Sequence, residues 1–139
     1  MSVTSASYSH TLSPEKKTIL ETDGLASTEF DLLEDACIYV HCFFDIPEPG
    51  LLVRIWKTTT LNDCHSSATA QLLHAENISY APAWTPVPHS GTYHFLLIFS
   101  ALPKSCQMFD LIEDIPQPGG FISRHITRND SDVYRIRLH

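Results

Sequence analysis

The stretch Thr92-Tyr-His-Phe-Leu-Leu-Ile-Phe99 holds the densest apolar run of the 139-residue chain. A short turn, Leu102-Pro-Lys-Ser105, separates it from a second run, Cys106-Gln-Met-Phe-Asp-Leu-Ile-Glu-Asp114. Short runs of aromatic and branched residues bounded by turn residues are typical of β-strands. We therefore predict two strands joined by a tight connection, and we expect the rest of the chain to be organised around this pair.

Similar patterns predict strands on both sides of this pair. The run Cys37–Phe44 is β-branched and aromatic with little alternation, which favours a central strand covered on both faces. After a proline-containing turn, residues Leu51–Leu61 are predicted as a second long strand. At the other end of the chain, Phe121–Thr127 and Val133–Leu138 are predicted to form a closing hairpin.

Other segments have weaker patterns. Ala68–Ile78 contains good helix formers, but we favour a strand because its neighbours are strands. Tyr80–Pro88 carries three prolines, each of which lacks an N–H donor, so we expect an extended edge or loop pinned by Trp84. Thr18–Thr22 predicts a first short strand, and Phe30–Glu34 fits either a helical turn or a strand.

These segments together predict an all-β protein, an antiparallel β-sandwich of about seven to eight strands. The chain length fits one ordinary domain. We expect residues 1–17, which are rich in Ser and Thr, to form a flexible, mobile N-terminal tail, and residues 18–139 to form a single β-sandwich domain.

Two sets of residues make the predicted sandwich immunoglobulin-like. Cys42, Trp56 and Cys106 lie at spacings that resemble the Cys…Trp…Cys core of immunoglobulin domains, although Lys104 stands where those domains carry Tyr. The aromatic strand, Leu-Pro turn and Asp-Leu-Ile-Glu strand between Phe95 and Glu113 resemble small uncharacterised bacterial proteins with an immunoglobulin-like β-sandwich domain of unknown function. This resemblance implies a fold and no activity. We expect no disulfide.

Charge and hydropathy exclude several classes of partner. The net charge of −7 repels phosphate, which argues against binding to nucleic acid or to an anionic membrane surface. The longest apolar run, Phe95–Phe99, is far shorter than the roughly 20 residues of a membrane helix. The first twenty residues have no secretory pattern, so we expect a cytoplasmic location.

The best candidates for catalysis are Cys64 and His65 in a polar loop, with His74 downstream. A nucleophilic thiol needs a nearby imidazole to lower its pKa. Neighbouring strand residues point to opposite faces, however, and no glycine-rich turn lies nearby to stabilise an oxyanion. The eight His and four Cys show no C-x-x-C or H-x-x-x-H spacing, so we predict no metal site and no cofactor.

The sequence therefore favours a non-catalytic domain that acts by binding a protein or another ligand, as an accessory or oligomeric component. We expect a protein partner or a homo-oligomer, with Trp84 and Tyr80 as binding residues, because tryptophan is enriched at interface hot spots. Packing at the end of the sandwich is the alternative for Trp84. Two other functions stay open: an enzyme or metal-dependent protein that uses Cys64, His65 and His74, and a structural subunit of a larger assembly.

Overall fold

A computed structural model describes residues 1–5 and 37–139. These residues form strands and loops without any helix. The strands are β1 (Ser2–Ser5), β2 (Ile38–Ile46), β3 (Leu51–Ile55), β4 (Thr60–Asp63), β5 (Thr69–Glu76), β6 (Ser79–Tyr80), β7 (Thr85–Val87), β8 (Gly91–Phe99), β9 (Met108–Ile112), β10 (Ile122–Thr127) and β11 (Val133–Arg137). The prediction of an all-β protein is confirmed.

The larger of two sheets contains seven strands in the order β10-β9-β4-β5-β8-β2-β11. Every neighbouring pair is antiparallel except β11 and β2, which run parallel. In the smaller sheet β3 pairs with β1 on one side and with β7 and β6 on the other, the last of these in parallel. The pairing is therefore mixed rather than purely antiparallel, and the described strands number eleven rather than seven to eight.

The larger sheet curls until its two edges approach each other. Six steps between neighbouring strands would span about 29 Å if the sheet were flat. The two edge strands, β10 and β11, are joined by only the loop from Arg128 to Asp132, and a segment of that length reaches about 20 Å at most. The sheet must therefore bend into an almost closed barrel, and its edges face each other without being paired.

Both sheets enclose one hydrophobic core. The inward side chains of β3 are buried together with those of the central strands β2 and β8, and they form a single cluster with β4 and β9. Phe95, Phe99 and Phe109 are the largest fully buried side chains. Alternate residues of β3 and β11 are buried, so one face of each of these strands packs inside and the other faces outward.

The predicted hairpin of Thr92–Phe99 and Cys106–Asp114 does not form. Both segments contain strands, β8 and β9, but β4 and β5 lie between them in the sheet. β8 instead pairs with β2 along its whole length, from Gly91 to Phe99. The apolar patterns predicted the strands correctly, whereas chain proximity predicted the wrong neighbour, since the eight-residue connection is long enough to cross two strands.

Two further predictions, one of a single long strand and one of a hairpin, were wrong. Leu51–Leu61 is not one strand, because Thr59 donates hydrogen bonds from its N–H and its hydroxyl to the Trp56 carbonyl and turns the chain into the other sheet. Phe121–Thr127 and Val133–Leu138 contain β10 and β11, which run antiparallel but lie at opposite edges of the larger sheet.

Several other predictions can be compared with the structure. The run Cys37–Phe44 is a central strand, Ala68–Ile78 is a strand rather than a helix, and Tyr80–Pro88 lies at a sheet edge, as expected. Residues 2–5 form β1 although they fall within the segment predicted as a tail. The predictions for Thr18–Thr22 and Phe30–Glu34, and the tail boundary at residue 17, lie outside the described residues. No helix in the described part is long and apolar enough to cross a bilayer.

Candidate functional site

A cleft of about 710 Å³ opens where the two edges of the larger sheet diverge. Its walls are the beginning of β10 and the end of β11, and β1 and β2 contribute to its floor. Its lining residues are Met1, Val3, Phe44, Gly119, Gly120, Phe121, Ile122, Ser123, Arg124, Arg137, Leu138 and His139. Clefts of roughly 300–1,000 Å³ are typical ligand sites, so we take this one as the candidate site.

A bulge in β10 turns this strand away from a regular path. The register with β9 shifts between Ser123 and Ile126, and His125 has a positive φ of 60°. Asp110 on β9 accepts a hydrogen bond from the backbone N–H of His125 at 2.8 Å and holds the bulge in place. This bond is the main reason that the pKa of Asp110 is lowered. A bulge bends a strand and increases its local twist.

The loop between β10 and β11 is anchored to a different part of the protein. The Arg128 guanidinium binds the Asp132 carboxylate at 2.6 and 3.0 Å, and it donates to the carbonyls of Pro103 and Cys106 in the β8–β9 connection. Tyr134 adds a hydrogen bond from its hydroxyl to Asp132. Because the loop is fixed in this way, it does not act as a simple hairpin turn, and the two strands leave it towards opposite edges.

The outer edge of β11, beside the cleft, carries backbone groups that pair with no described strand. The N–H of Tyr39 donates to the Asp132 carbonyl, and the N–H of Leu138 donates to the Phe43 carbonyl. In a parallel pair such bonds involve every second residue of a strand. The N–H and C=O groups of Val133, Arg135 and Arg137 therefore point away from β2 and into the gap, where no described strand pairs with them. The Val133 carbonyl accepts a hydrogen bond from the side-chain amide of Asn129 at 2.9 Å. A sheet edge of this kind is a template for another strand.

Exposed arginines and apolar side chains surround this edge. Arg124 and Arg137 are 60% and 48% exposed, and they pair with Asp110 at 3.4 Å and Asp45 at 2.8 Å. Surface ion pairs of this kind contribute at most about 1 kcal/mol and exchange easily. Exposed apolar side chains occur on both edge strands, at Ile122 and Val133.

A close backbone contact shapes the bottom of the cleft. A Cβ on Gly120 would lie 2.3 Å from the Glu113 carbonyl oxygen, so only glycine fits there without a shift of the chain. The buried Glu113 carboxylate accepts a hydrogen bond from the N–H of Trp56 at 3.1 Å and contacts the Met1 amino group. These contacts fix the Gly-Gly turn against the smaller sheet, where β1 and β3 pair.

The structure does not bring together the three candidate catalytic residues. Asn62 pairs with Thr69, so Cys64 lies beside the beginning of β5, about 23 Å along the strand from His74. Burial and the hydrogen bond that the Cys64 thiol donates to Asp110 at 3.5 Å both raise the pKa of this thiol. The exposed His65 donates its backbone N–H to Asp63. A nucleophilic cysteine needs the opposite shift.

The predicted binding residues Trp84 and Tyr80 both lie outside the cleft lining. Tyr80 packs against the hydrophobic core, and its hydroxyl group is buried. The Arg54 guanidinium lies 4.0 Å from the centre of the Trp84 ring and 5.4 Å from that of Trp56, and Lys57 lies over Tyr80 at 5.3 Å. Such contacts stabilise a surface by about 0.5–1 kcal/mol each. Trp84 is thus half-buried and already stacked, which fits the packing alternative at least as well as a ligand anchor.

Sequence reasoning missed one close histidine pair and the whole cleft. His41 and His94 lie on neighbouring strands, and their Nδ1 and Nε2 atoms are 2.8 Å apart. Burial and then the nearby Arg135 lower the pKa of His41. In the described ranges, no group of three or more His, Cys, Asp and Glu residues has the arrangement of a metal site.

The cleft has only one signal in the sequence, the alternation of Arg135 and Arg137 with apolar residues in the last strand, and this pattern equally predicts a solvated strand face. The unpaired edges depend on pairings between distant segments, which an apolar pattern does not specify. Comparisons with known proteins add no assignment, because no family model, curated protein or solved structure matches the chain.

Proposed function

We propose that this protein is a non-catalytic binding domain that accepts an extended segment of a partner polypeptide as an additional strand in the cleft. One observation supports this function above all. The facing edges of β10 and β11 border a cleft of about 710 Å³, and no strand within residues 1–5 and 37–139 pairs with either edge there.

Strand addition is the binding mode that such edges favour. Main-chain hydrogen bonds supply affinity, and alternate side chains of the bound segment supply specificity. Proteins usually block an exposed edge because it invites association with other chains. Here β10 carries only one bulge, and β11 has none in its pairing with β2. A segment bound between both strands would complete the curled sheet.

Two further parts of the proposal come from the sequence. The first is a relation to the small bacterial proteins with immunoglobulin-like sandwich domains. The second is a cytoplasmic location, which is supported by Cys42, Cys64 and Cys106, none of which forms a disulfide, since reducing compartments keep thiols reduced.

The test uses three fluorescent decapeptides in which Val alternates with Glu, Thr or Lys. Binding is followed by anisotropy, and the site is mapped by amide shifts in ¹⁵N-labelled protein. We expect at least one peptide to bind and to shift the amides of Val133, Arg135 and Ile122. Failure of all three peptides at millimolar concentration, or shifts confined to the region of Trp84, would overturn the proposal.

A matched pair of variants tests the main-chain contact itself. Arg135→Pro removes an N–H that points away from β2 into the gap between the edges and keeps the ladder to β2, whereas Arg135→Gln removes the same charge and keeps the donor. One hydrogen bond contributes about 1 kcal/mol, so we expect Arg135→Pro to bind about fivefold more weakly than Arg135→Gln. Equal affinities in the two variants would contradict strand addition at β11.

A further inference from the structure

We infer that the segment bound in the cleft is acidic, with Asp or Glu at every second position and apolar residues between them. This inference rests on the proposed function, since it assumes that the ligand binds as a strand. It names the chemistry of the ligand from the side chains that a strand beside β11 would meet.

The register of β11 decides which ligand side chains meet the arginines. Val133, Arg135 and Arg137 direct their backbone groups into the gap, and their side chains lie on the outer face of the sheet. Residues directly opposite each other on paired strands point to the same face and interact. Ligand residues opposite Arg135 and Arg137 would therefore lie two positions apart and would both contact a guanidinium group.

These guanidinium groups are available to a ligand. Arg135 stacks over Phe43 at 4.7 Å and makes no ion pair with any described residue. Among the described residues, Arg137 forms an ion pair only with Asp45, which is itself 73% exposed. Across the gap, Arg124 adds a third positive charge. A local excess of arginine in a chain of net charge −7 favours carboxylates and disfavours a basic ligand.

The other ligand positions would face the inside of the cleft. On that side the lining includes the apolar side chains of Val3, Phe44, Phe121 and Leu138. The inward side chains of β11, at Tyr134 and Leu138, are buried. A strand that matches both faces must therefore alternate between carboxylate and apolar side chains, which is the period of two that strands impose.

The same arginines disfavour a second copy of this chain as the ligand. Antiparallel pairing of β11 with β11 of another copy would bring arginines of one chain opposite or diagonal to those of the other. Like charges on paired strands destabilise a sheet. Positive side chains on an edge strand also prevent self-association in other proteins. An acidic strand from a different protein meets no such repulsion.

The test compares the dissociation constants of the Glu–Val, Thr–Val and Lys–Val decapeptides at low and high salt. We expect the Glu–Val peptide to bind at least tenfold more tightly than the Thr–Val peptide at low salt, and the difference to shrink as salt screens the charges. The double variant Arg135→Glu/Arg137→Glu should reverse the preference in favour of Lys–Val. The control Lys57→Glu/Lys104→Glu makes the same change in net charge at exposed positions outside the cleft lining and should keep the original order.

The outcomes separate this inference from the proposed function. Equal binding of the Glu–Val and Thr–Val peptides in the cleft would overturn the acidic ligand and leave strand addition intact. Binding of none of the peptides would overturn both. A reversal of preference in the lysine control as well would show that net charge alone, rather than the register of β11, decides the binding, and would also overturn the inference.

Discussion

The middle and the edges of the larger sheet differ in how deeply their side chains are buried. In β8 the run from Phe95 to Phe99 is buried on both faces, although strands usually bury only alternate residues. The edge strands β10 and β11 keep at least half of their residues exposed and carry three arginines. The difference teaches that burial is concentrated in the centre of the sheet, whereas its two edges remain exposed, charged and unpaired with any described strand.

We expect the largest effect when one side chain from the centre of the sheet is compared with one from its edge. Phe95→Ala leaves a cavity in the fully buried core and should lower the free energy of unfolding by about 3–5 kcal/mol. Ile122→Ala, on a side chain that is 51% exposed, should change it by no more than about 0.5 kcal/mol. Urea unfolding of both variants measures the difference. Similar losses of unfolding free energy in the two variants would contradict this difference between the centre and the edge of the sheet.

A smaller effect is expected at the loop that connects the two edges. Arg128→Gln removes charged hydrogen bonds to Asp132 and to carbonyls of the β8–β9 connection, and it should cost about 2–3 kcal/mol. Arg124→Gln removes an exposed ion pair and should cost less than about 1 kcal/mol. If the two variants lose equal stability in urea unfolding, the loop does not anchor the edges.

The ion pair between Arg128 and Asp132 also makes the stability of the fold depend on pH. Burial acts to raise the pKa of Asp132, but hydrogen bonds from Arg128 and Tyr134 outweigh it, so that the pKa lies below the ordinary value of 3.8. A carboxyl whose pKa is lower in the folded state stabilises the fold above its unfolded pKa and loses this contribution as pH falls through the folded value. Unfolding experiments below pH 4 should therefore show a weaker acid dependence in Asp132→Asn than in the natural protein.

The smallest effect concerns the thiol at the end of β4. Because burial and Asp110 raise the pKa of Cys64, iodoacetamide should alkylate it more slowly at neutral pH than it alkylates a free cysteine. Asp110→Asn should increase the rate by less than about tenfold. Mass spectrometry of the modified peptide measures both rates. Alkylation of Cys64 faster than free cysteine would support the enzyme hypothesis instead.

The sequence predicted most strands because their signals are local. Apolar runs marked β2 and β8, the context of neighbouring strands favoured β5, and the three prolines correctly excluded Tyr80–Pro88 from the sheet interior. The pairing was predicted badly because alternation tells which face of a strand is buried but not which strand lies beside it. The apolar patterns of β8 and β9 would each fit more than one neighbouring strand, so the order of the strands is decided only by the packing of the complete core.

The candidate site was harder still to predict. Its arginines were visible as an alternating pattern, but their meaning depends on β10 and β11 taking opposite edges. That arrangement follows from the bulge at His125 and from the anchoring of Arg128, and both involve partners distant in sequence. By contrast, the loop with Cys64 looked reactive because its residue types were adjacent, yet its environment suppresses the thiolate.

The parallel pairing of β11 with β2 also determines when the cleft comes into existence. Arg137 and Asp45 on these strands are 92 positions apart in sequence. Contacts between such distant segments form slowly, because the intervening chain must lose its entropy of loop closure first. The hydrogen-bonding groups on one edge of β2 stay unpaired until β11, the last described strand, is in place. A nascent chain whose β11 is still inside the ribosome therefore lacks one wall of the cleft, and the cleft is complete only after Arg137 has emerged.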